Sequence, residues 1–326
     1  VPEETVLPDF SLTIEPGVIV TLAPSDAGNN GYDPSRIEII VGNGELYADD
    51  VIFQASSGSW YGIRFIYESS GRINECTISK AIRGIFVGTS EAVTLTGNTI
   101  HDLQGKPGTS VTSGESVVGI YAHIGSPLIQ GNVILNLAGG DGYHGAAGLD
   151  GDSSTDGQAG QAGTSGGFAI GIYVNEGAPT ILDNSISQVV AGQGGDGGNG
   201  GNGGHGSTPI DNSPGPDGMN GGAGAEGGYG GSAYGIHVYT SGNNAIIQNN
   251  EISTISGGDG GWGGDGGWGG DAGGGGVGLS GEAGSLGGSA GIGGSGGAAS
   301  LGGSAYGILS YASDIVFSGN TIQSIS

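Results

Sequence analysis

The chain has 326 residues, including 79 Gly and one Cys, and its formal charge is −25. One Cys excludes an internal disulfide framework, and no apolar run approaches the ~18 residues of a membrane-spanning helix. All six Lys and Arg residues lie at or before Lys106, so the sequence excludes nucleic acid as a partner and disfavours anionic membranes and polyuronates.

Residues 1–61 predict the opening coils of a solenoid. SLTIEPGVIVTL (11–22) is an alternating strand, a Pro-Gly turn and a second strand, and RIEIIV (36–41) and ELYADDVIFQAS (45–56) continue the alternation. The sequence starts at Val1 without a signal-peptide pattern, as expected of a mature secreted protein. We therefore expect an extracellular, secreted or cell-surface location and no insertion into a membrane.

A cassette repeats six times over residues 62–326, and it is plainest in YGIHVYTSGNNAIIQNNEISTI, residues 234–255. Each copy pairs a Gly-Ile strand signal with an apolar-x-x-Asn-x-Ile run, and the shortest full period, Gly62 to Gly84, is 22 residues. A unit with three short β-branched runs and no helical period cannot bury its inner face alone, so it must stack on its neighbours. The repeat predicts one all-β domain, a single-stranded parallel β-helix.

One position of the cassette is occupied by Asn in five copies and by Cys in the first. These residues are Cys76, Asn98, Asn132, Asn184, Asn250 and Asn320. Asn tolerates the left-handed conformation of a tight corner, and stacked amides can hydrogen-bond from coil to coil. We predict a structural ladder here, with solvated turn residues as the alternative, and we interpret Cys76 as a small buried thiol that is not a nucleophile.

Aromatic side chains form a second column. In GIYV and GIHV the aliphatic residues should point inward, and Tyr173 and His237 should point outward. We interpret the outward column as surface rings that stack on one another without forming a binding site; its members are Phe86, Tyr121, Tyr173 and His237. Tyr121 and Tyr173 are kept as candidate contact residues for a ligand.

Four insertions interrupt the cassettes near residues 101–117, 138–169, 190–233 and 256–305. The first has the composition of an ordinary polar loop, whereas GGDGGNGGNGG (194–204) and GGDGGWGGDGGWGGD (257–271) are Gly-Gly-X triplets. A three-residue period is typical of an extended three-fold helix that rises ~3.1 Å per residue. Because regular Pro is missing, we predict polyglycine-II-like rods in a Gly-rich side layer instead of collagen.

The Gly-rich insertions also contain the candidate metal and ligand residues. GGWGGDGGW (260–268) matches the Gly and Asp positions of a calcium-binding repeat, but Gly267 stands where a large apolar residue is required. Asp259, Asp265 and Asp271 are therefore weak calcium candidates, and no other cofactor is expected. Trp262 and Trp268 should share one face of a rod; we predict that they cover the solenoid or a neighbouring rod, with an exposed platform for sugars as the alternative.

The coils resemble the right-handed parallel β-helix proteins related to pectate lyases. SLTIEPGVIV followed by GELYADDVIF is similar to the opening coils common in secreted and cell-surface members. The resemblance implies a right-handed solenoid and polysaccharide-processing enzymes that use clustered Asp together with Arg or Lys. In this sequence Asp49-Asp50 is the only adjacent carboxylate pair in the coils, and no cation follows Lys106.

These departures favour a non-enzymatic extracellular structural protein without catalytic residues. The strand edges of the first and last coils have unpaired backbone groups that can pair with the end coil of another copy. We therefore expect head-to-tail homo-oligomers that build a surface fibre or filament. The alternative is a carbohydrate-active β-helix enzyme or a carbohydrate-binding adhesin, with polysaccharide or a cell surface as its partner.

Overall fold

The computed structural model describes residues 5–7, 10–23, 25–26, 31–239, 245–277, 285–312 and 314–326. Within these ranges the chain forms strands and no helices, so it holds no helix that could cross a membrane. Parts of two predicted features, residues 240–244 of the fifth cassette and 278–284 of the last insertion, lie outside the described residues.

The strands, numbered in chain order, form three parallel eight-stranded sheets. Sheet A contains β1 (Thr5–Leu7), β4 (Glu38–Gly42), β7 (Gly62–Tyr67), β10 (Arg83–Thr89), β13 (Val117–Ile124), β16 (Ala169–Val174), β19 (Ala233–Val238) and β22 (Ala305–Ser310). Sheet B contains β2 (Ser11–Ile14), β5 (Glu45–Asp49), β8 (Ser70–Asn74), β11 (Val93–Thr96), β14 (Leu128–Gln130), β17 (Thr180–Leu182), β20 (Ala245–Gln248) and β23 (Ile315–Ser318). Sheet C contains β3 (Ile19–Leu22), β6 (Ile52–Ala55), β9 (Thr77–Ser79), β12 (Thr99–Gln104), β15 (Val133–Ala138), β18 (Ser185–Val190), β21 (Glu251–Ser256) and β24 (Thr321–Ile325).

Each coil contributes one strand to each sheet, and each strand pairs with the corresponding strand of the next coil. The predicted right-handed parallel β-helix is thereby confirmed, in agreement with the strong preference of parallel crossovers for the right hand.

The core lies inside the three sheets and is built from the aliphatic residues of the cassette. Ile120, Ile172 and Ile236 stand in register on sheet A, and all three are fully buried. Burying one such side chain stabilises the fold by ~1.5–3 kcal/mol. The alternation of inward aliphatic and outward aromatic residues therefore predicted the core face correctly.

The Gly of each Gly-Ile pair permits close packing of sheet A. A Cβ atom on Gly171 would lie 2.6 Å from the carbonyl oxygen of Gly235 and 2.6 Å from Cγ2 of Ile186. Real Cβ atoms do not approach other atoms so closely, so a side chain at this position would push neighbouring coils apart.

The long insertions run out from sheet C and return to sheet A. They contribute six segments, residues 139–151, 157–167, 192–206, 215–231, 257–276 and 285–303, which we call the Gly-rich layer. The segments contain no helix or strand, and they exchange backbone hydrogen bonds at every third residue. Gly194, Gly197 and Gly200, for example, each donate to the segment of residues 257–276 over 2.8 Å.

Candidate functional site

A groove of about 450 Å³ runs over the outer face of sheet A in the middle coils. Its lining residues come from four strands of the sheet and from three loop positions. They are Arg64 on β7, Arg83 and Phe86 on β10, Val118, Tyr121 and His123 on β13, Ile170 and Tyr173 on β16, and Tyr32, Ser116 and Phe168 in the loops. Residues far apart in the sequence meet here because the coils stack in register.

Two outward columns of sheet A form the floor of the groove. In the first, Phe86 pairs with Tyr121, and Tyr121 pairs with Tyr173. The ring centroids of Phe86 and Tyr121 are 5.0 Å apart, and those of Tyr121 and Tyr173 are 4.8 Å apart. The predicted contact residues Tyr121 and Tyr173 therefore lie on the floor of a groove, and the rings of their column contact one another as predicted.

Arg64 lies at one end of the first column and is buried. Its guanidinium carbon is 4.3 Å from the ring centroids of both Tyr32 and Phe86. The Nε atom lies 3.3 Å from the buried carboxylate of Glu38, whereas Nη1 makes no hydrogen bond within the described residues. Since a buried guanidinium N–H is costly to leave without an acceptor, this atom is suited to an acceptor supplied by a ligand.

Arg83 begins the second column, in which it pairs with Val118 and Val118 pairs with Ile170, and it is half-buried. Its guanidinium carbon lies 5.4 Å from the ring centroid of Tyr121, and the side chain forms no ion pair in the described part of the chain. The groove therefore contains one guanidinium group that a carboxylate does not neutralise. Such a planar group can bind an anion such as a carboxylate through two parallel hydrogen bonds.

His123 faces the groove through the ordinary alternation of β13, in which Tyr121 and His123 are half-buried on the outer face and Ala122 between them is fully buried. Beside it the register of β10 and β13 shifts after Val87, so that Gly88 pairs with Ile124 and His123 has no partner on β10. Irregularities of this kind are common beside functional sites. The Nδ1 atom of His123 lies 3.3 Å from the Tyr121 hydroxyl and 3.2 Å from the side-chain amide nitrogen of Asn175.

Burial controls the protonation of the phenols in and beside the groove. It raises the pKa of Tyr121, although Arg83 opposes the shift, and it raises the pKa of Tyr173 as well. For Tyr61, behind Arg83, burial raises the pKa to about 12. The phenols are therefore protonated at neutral pH, and they can donate hydrogen bonds to oxygen atoms of a ligand.

The Asn column lies inside the coil and has no access to the groove. The Asn98 side-chain amide nitrogen donates to the Asn132 side-chain oxygen over 2.9 Å, and the same contact joins Asn132 to Asn184, Asn184 to Asn250 and Asn250 to Asn320. Cys76 ends the column: its backbone N–H donates to the Asn98 side chain over 2.9 Å. Burial raises the pKa of the Cys76 thiol.

One detail of the predicted ladder was wrong. The left-handed residue of the corner is the residue before each ladder position, as in Glu75, Asp183 and Asn249, with φ between 52° and 56°. The ladder residues themselves are free of this conformation, because their side chains must point inward to reach the next coil.

The Trp residues of the Gly-rich layer are exposed, so the prediction that they cover the solenoid or a neighbouring rod was wrong. Trp262 is 76% exposed and Trp268 is 81% exposed. Both lie on the outer face of the layer, where their backbone N–H groups donate to the side chains of Asp196 and Asn202. Their rings are therefore free to contact another molecule.

The weak calcium candidates lie on the same face of the same segment. Asp259, Asp265 and Asp271 are exposed, and in the described residues no three His, Cys, Asp or Glu side chains are grouped as metal ligands. Asp and Asn at equivalent positions of the neighbouring segment accept backbone N–H groups, as Asn199 does from Asp265 over 2.8 Å. This gives the acidic residues of the triplets a packing role that the sequence did not suggest.

Arg64, Arg83 and His123 were missed as site residues in the sequence. Arg64 and Arg83 were counted only as members of a small cationic set, although each stands within a strand of the repeat. A usable signal was the alternation itself, which places His123 on the outer face of its strand two residues after Tyr121.

No protein-family model matches the chain, and no curated protein matches it. Among solved structures, one similar chain is the A-module of mannuronan C-5 epimerase AlgE6 from Azotobacter vinelandii, at 17% identity and a TM-score of 0.26, covering 75% of this chain. This chain spans 61% of that module.

A mutant of the periplasmic alginate epimerase AlgG is 10% identical with a TM-score of 0.24, over 77% of this chain and 70% of that one. A springtail antifreeze protein from Granisotoma rainieri, a bundle of nine polyproline type II helices, is 27% identical with a TM-score of 0.11, over 59% of this chain and 92% of that one.

These findings correct the predicted function. Two of the three structures are alginate epimerases. The expectations of a non-enzymatic filament protomer and of no catalysis are contradicted by these two structures.

Proposed function

We propose that this protein is a carbohydrate-active β-helix protein of the cell envelope or extracellular space that binds an acidic polysaccharide in the groove of sheet A. The observation that carries the proposal is the convergence of Arg64 and Arg83 with the aromatic column of Tyr121 and Tyr173. A uronate residue offers a carboxylate to the guanidinium groups and an apolar ring face and hydroxyl groups to the tyrosines. The groove supplies a partner for each of these features.

The charge of the whole chain does not oppose this reading, since the two arginines lie inside the groove. Arg83 is free to take the carboxylate, and Nη1 of Arg64 offers a second donor. Protonated Tyr121 and Tyr173 donate to sugar oxygen atoms. The expectation that polyuronates are disfavoured counted cations over the whole sequence, whereas the groove brings Arg64 and Arg83 together.

A second candidate function, proton exchange at the carbon next to the uronate carboxylate, is favoured by the contact between Tyr121 and His123. Binding of the carboxylate at Arg83 makes the adjacent C–H bond more acidic, because negative charge that develops on the carbon can spread into a neutralised carboxylate. The His123 imidazole accepts this proton, and the Tyr121 hydroxyl gives one back to the carbon. The 3.3 Å contact between the two side chains then returns the proton from His123 to Tyr121.

Calorimetry with uronate oligosaccharides tests the binding. Arg83→Gln removes the free guanidinium group, and losing a hydrogen bond to a charged group weakens binding by ~1.5–3 kcal/mol, or roughly tenfold to a hundredfold. Leu286→Ala, at an exposed position of the Gly-rich layer, is the control and should leave the affinity unchanged. Equal affinities of the wild type and Arg83→Gln would contradict the proposal.

Deuterium exchange tests the chemistry separately. Incubation in heavy water should place deuterium on the ring carbon next to the carboxylate, and His123→Asn should abolish this incorporation while retaining binding. Binding without any incorporation would leave a carbohydrate-binding protein and reject the proton exchange.

A further inference from the structure

The aromatic floor of the groove continues beyond Tyr173 towards the last coils. The His237 ring lies 5.1 Å from Tyr173 and 4.5 Å from Tyr234, and Tyr234 stacks on Tyr306 at 5.4 Å with only 9° between the ring planes. Tyr311 adds an exposed ring beside His237 at 6.1 Å. We call Tyr173, Tyr234, His237, Tyr306 and Tyr311 the tyrosine strip.

Together, the groove and the tyrosine strip span the length of an oligosaccharide. Four strand steps separate β10, which carries Arg83, from β22, which carries Tyr306. With strands ~4.8 Å apart, this distance is ~19 Å, longer than a single sugar ring. Because the rings stack on one another, they present edges and hydroxyl groups outward, and these suit hydroxylated, uncharged sugar residues.

Positive charge is confined to one end of this surface. Arg64 and Arg83 lie on β7 and β10, and the sequence has no Lys or Arg after Lys106. The strip therefore has no cation along its length. A carboxylate placed on the strip would lose water without gaining a counter-charge, which is unfavourable.

We propose that the ligand of this groove is a sparsely acidic heteropolysaccharide. One uronate residue binds at Arg64 and Arg83, and the neutral sugars that follow it lie along the tyrosine strip. A homopolymer of uronates fits less well, because every residue beyond the first would set a carboxylate against the strip. This inference rests on the proposed function and names the substrate class of the same site.

Three ligands of equal length separate the possibilities. The first is an oligosaccharide from a heteropolysaccharide that has a single uronate per repeat, the second is the same material with its carboxyl groups chemically reduced, and the third is a homopolyuronate. We expect the first to bind at least about tenfold more tightly than either of the others, a difference of ~1.4 kcal/mol. Equal or tighter binding of the homopolyuronate would overturn the proposed substrate class.

Two variants assign the binding to the two ends of the groove. Tyr306→Ser, at the far end, should weaken the heteropolysaccharide several-fold and leave the homopolyuronate unaffected, whereas Tyr229→Ser, an exposed tyrosine of the Gly-rich layer, is the matched control. Arg83→Gln should weaken both acidic ligands. Circular dichroism confirms that each variant is folded before binding is measured.

The outcomes distinguish this inference from the proposed function. If the homopolyuronate binds best and Arg83→Gln weakens it, the proposed function stands and the sparsely acidic ligand is rejected. If Arg83→Gln affects neither acidic ligand, or if the carboxyl-reduced form binds as well as the acidic one, both are rejected. An unchanged affinity of Tyr306→Ser for the heteropolysaccharide would also remove the tyrosine strip from the site.

Discussion

The Asn ladder gives the sharpest test of how the solenoid is held together. Asn184 is 1% exposed, and its side-chain nitrogen donates to the Ile129 carbonyl over 3.0 Å and to the Asn250 side chain over 2.9 Å. Its side-chain oxygen accepts the backbone N–H and the side chain of Asn132, each over 2.9 Å. Asn184→Ala removes all four hydrogen bonds and leaves the Asn132 N–H and the Ile129 carbonyl without these partners. Two such buried groups cost ~1–3 kcal/mol each, so we expect a loss of ~2–6 kcal/mol.

Equilibrium unfolding in guanidinium chloride, followed by circular dichroism, measures this loss. Asn320→Ala is the matched control, since Asn320 makes three of the four equivalent contacts in the last described coil but is only half-buried, so water can replace its amide. We expect the control to lose ~1 kcal/mol. Because solenoids can open coil by coil, hydrogen exchange of the amides in β14 and β17 should report the same local loss. Equal effects of the two substitutions would refute the reasoning.

Three further predictions concern the core, the tyrosine strip and the Gly-rich layer. Ile236→Ala should cost ~2–5 kcal/mol in the same unfolding assay through lost burial and a cavity. Burial lowers the pKa of His237 from its usual value of 6.5, so the unfolded chain binds the proton more readily than the folded chain does. The stability contributed by neutral His237 is therefore present above pH 6.5 and is lost as the pH falls below that value. His237→Phe should reduce this pH dependence in unfolding curves recorded between about pH 7 and pH 5. Gly264→Ala should lower the thermal midpoint, because its Cβ would lie 2.1 Å from the Gly198 carbonyl oxygen, whereas Gly296→Ala, with 3.7 Å to its nearest atom, should leave the midpoint unchanged or slightly raised.

Most of the solenoid follows from patterns that are local and periodic. Inward Ile172 and outward Tyr173 differ by one position in a strand, so alternation alone assigns their faces. The corner was harder, because either Asn184 or the preceding Asp183 could take the left-handed conformation. Only the three-dimensional path of the chain decides that Asp183 turns the corner and Asn184 points inward.

The groove could not be predicted in the same way, because its chemistry is distributed over distant coils. Tyr32, Arg64 and Tyr121 come from separate parts of the sequence, and no motif joins them. Alternation places His123 on the outer face of β13, but it does not show which residues of neighbouring coils lie beside it. Composition alone also gave no sign of an anion-binding groove, because a sum of charges over the whole chain does not reveal that Arg64 and Arg83 face the same groove.

The position of the insertions links the Gly-rich layer to the groove. Each insertion leaves a strand of sheet C and returns to a strand of sheet A, so the returning ends lie along the edge of the groove, where Ser116 and Phe168 line it. Arg36 lies in the loop before β4 and holds this loop to the first insertion by donating two hydrogen bonds of 2.6 Å to Glu115. Ordering so much Gly costs more than ~1 kcal/mol of backbone entropy per residue, which the hydrogen bonds at every third residue must offset. A layer held this firmly can lengthen outward by whole triplets while its inner ends keep the wall of the groove in place.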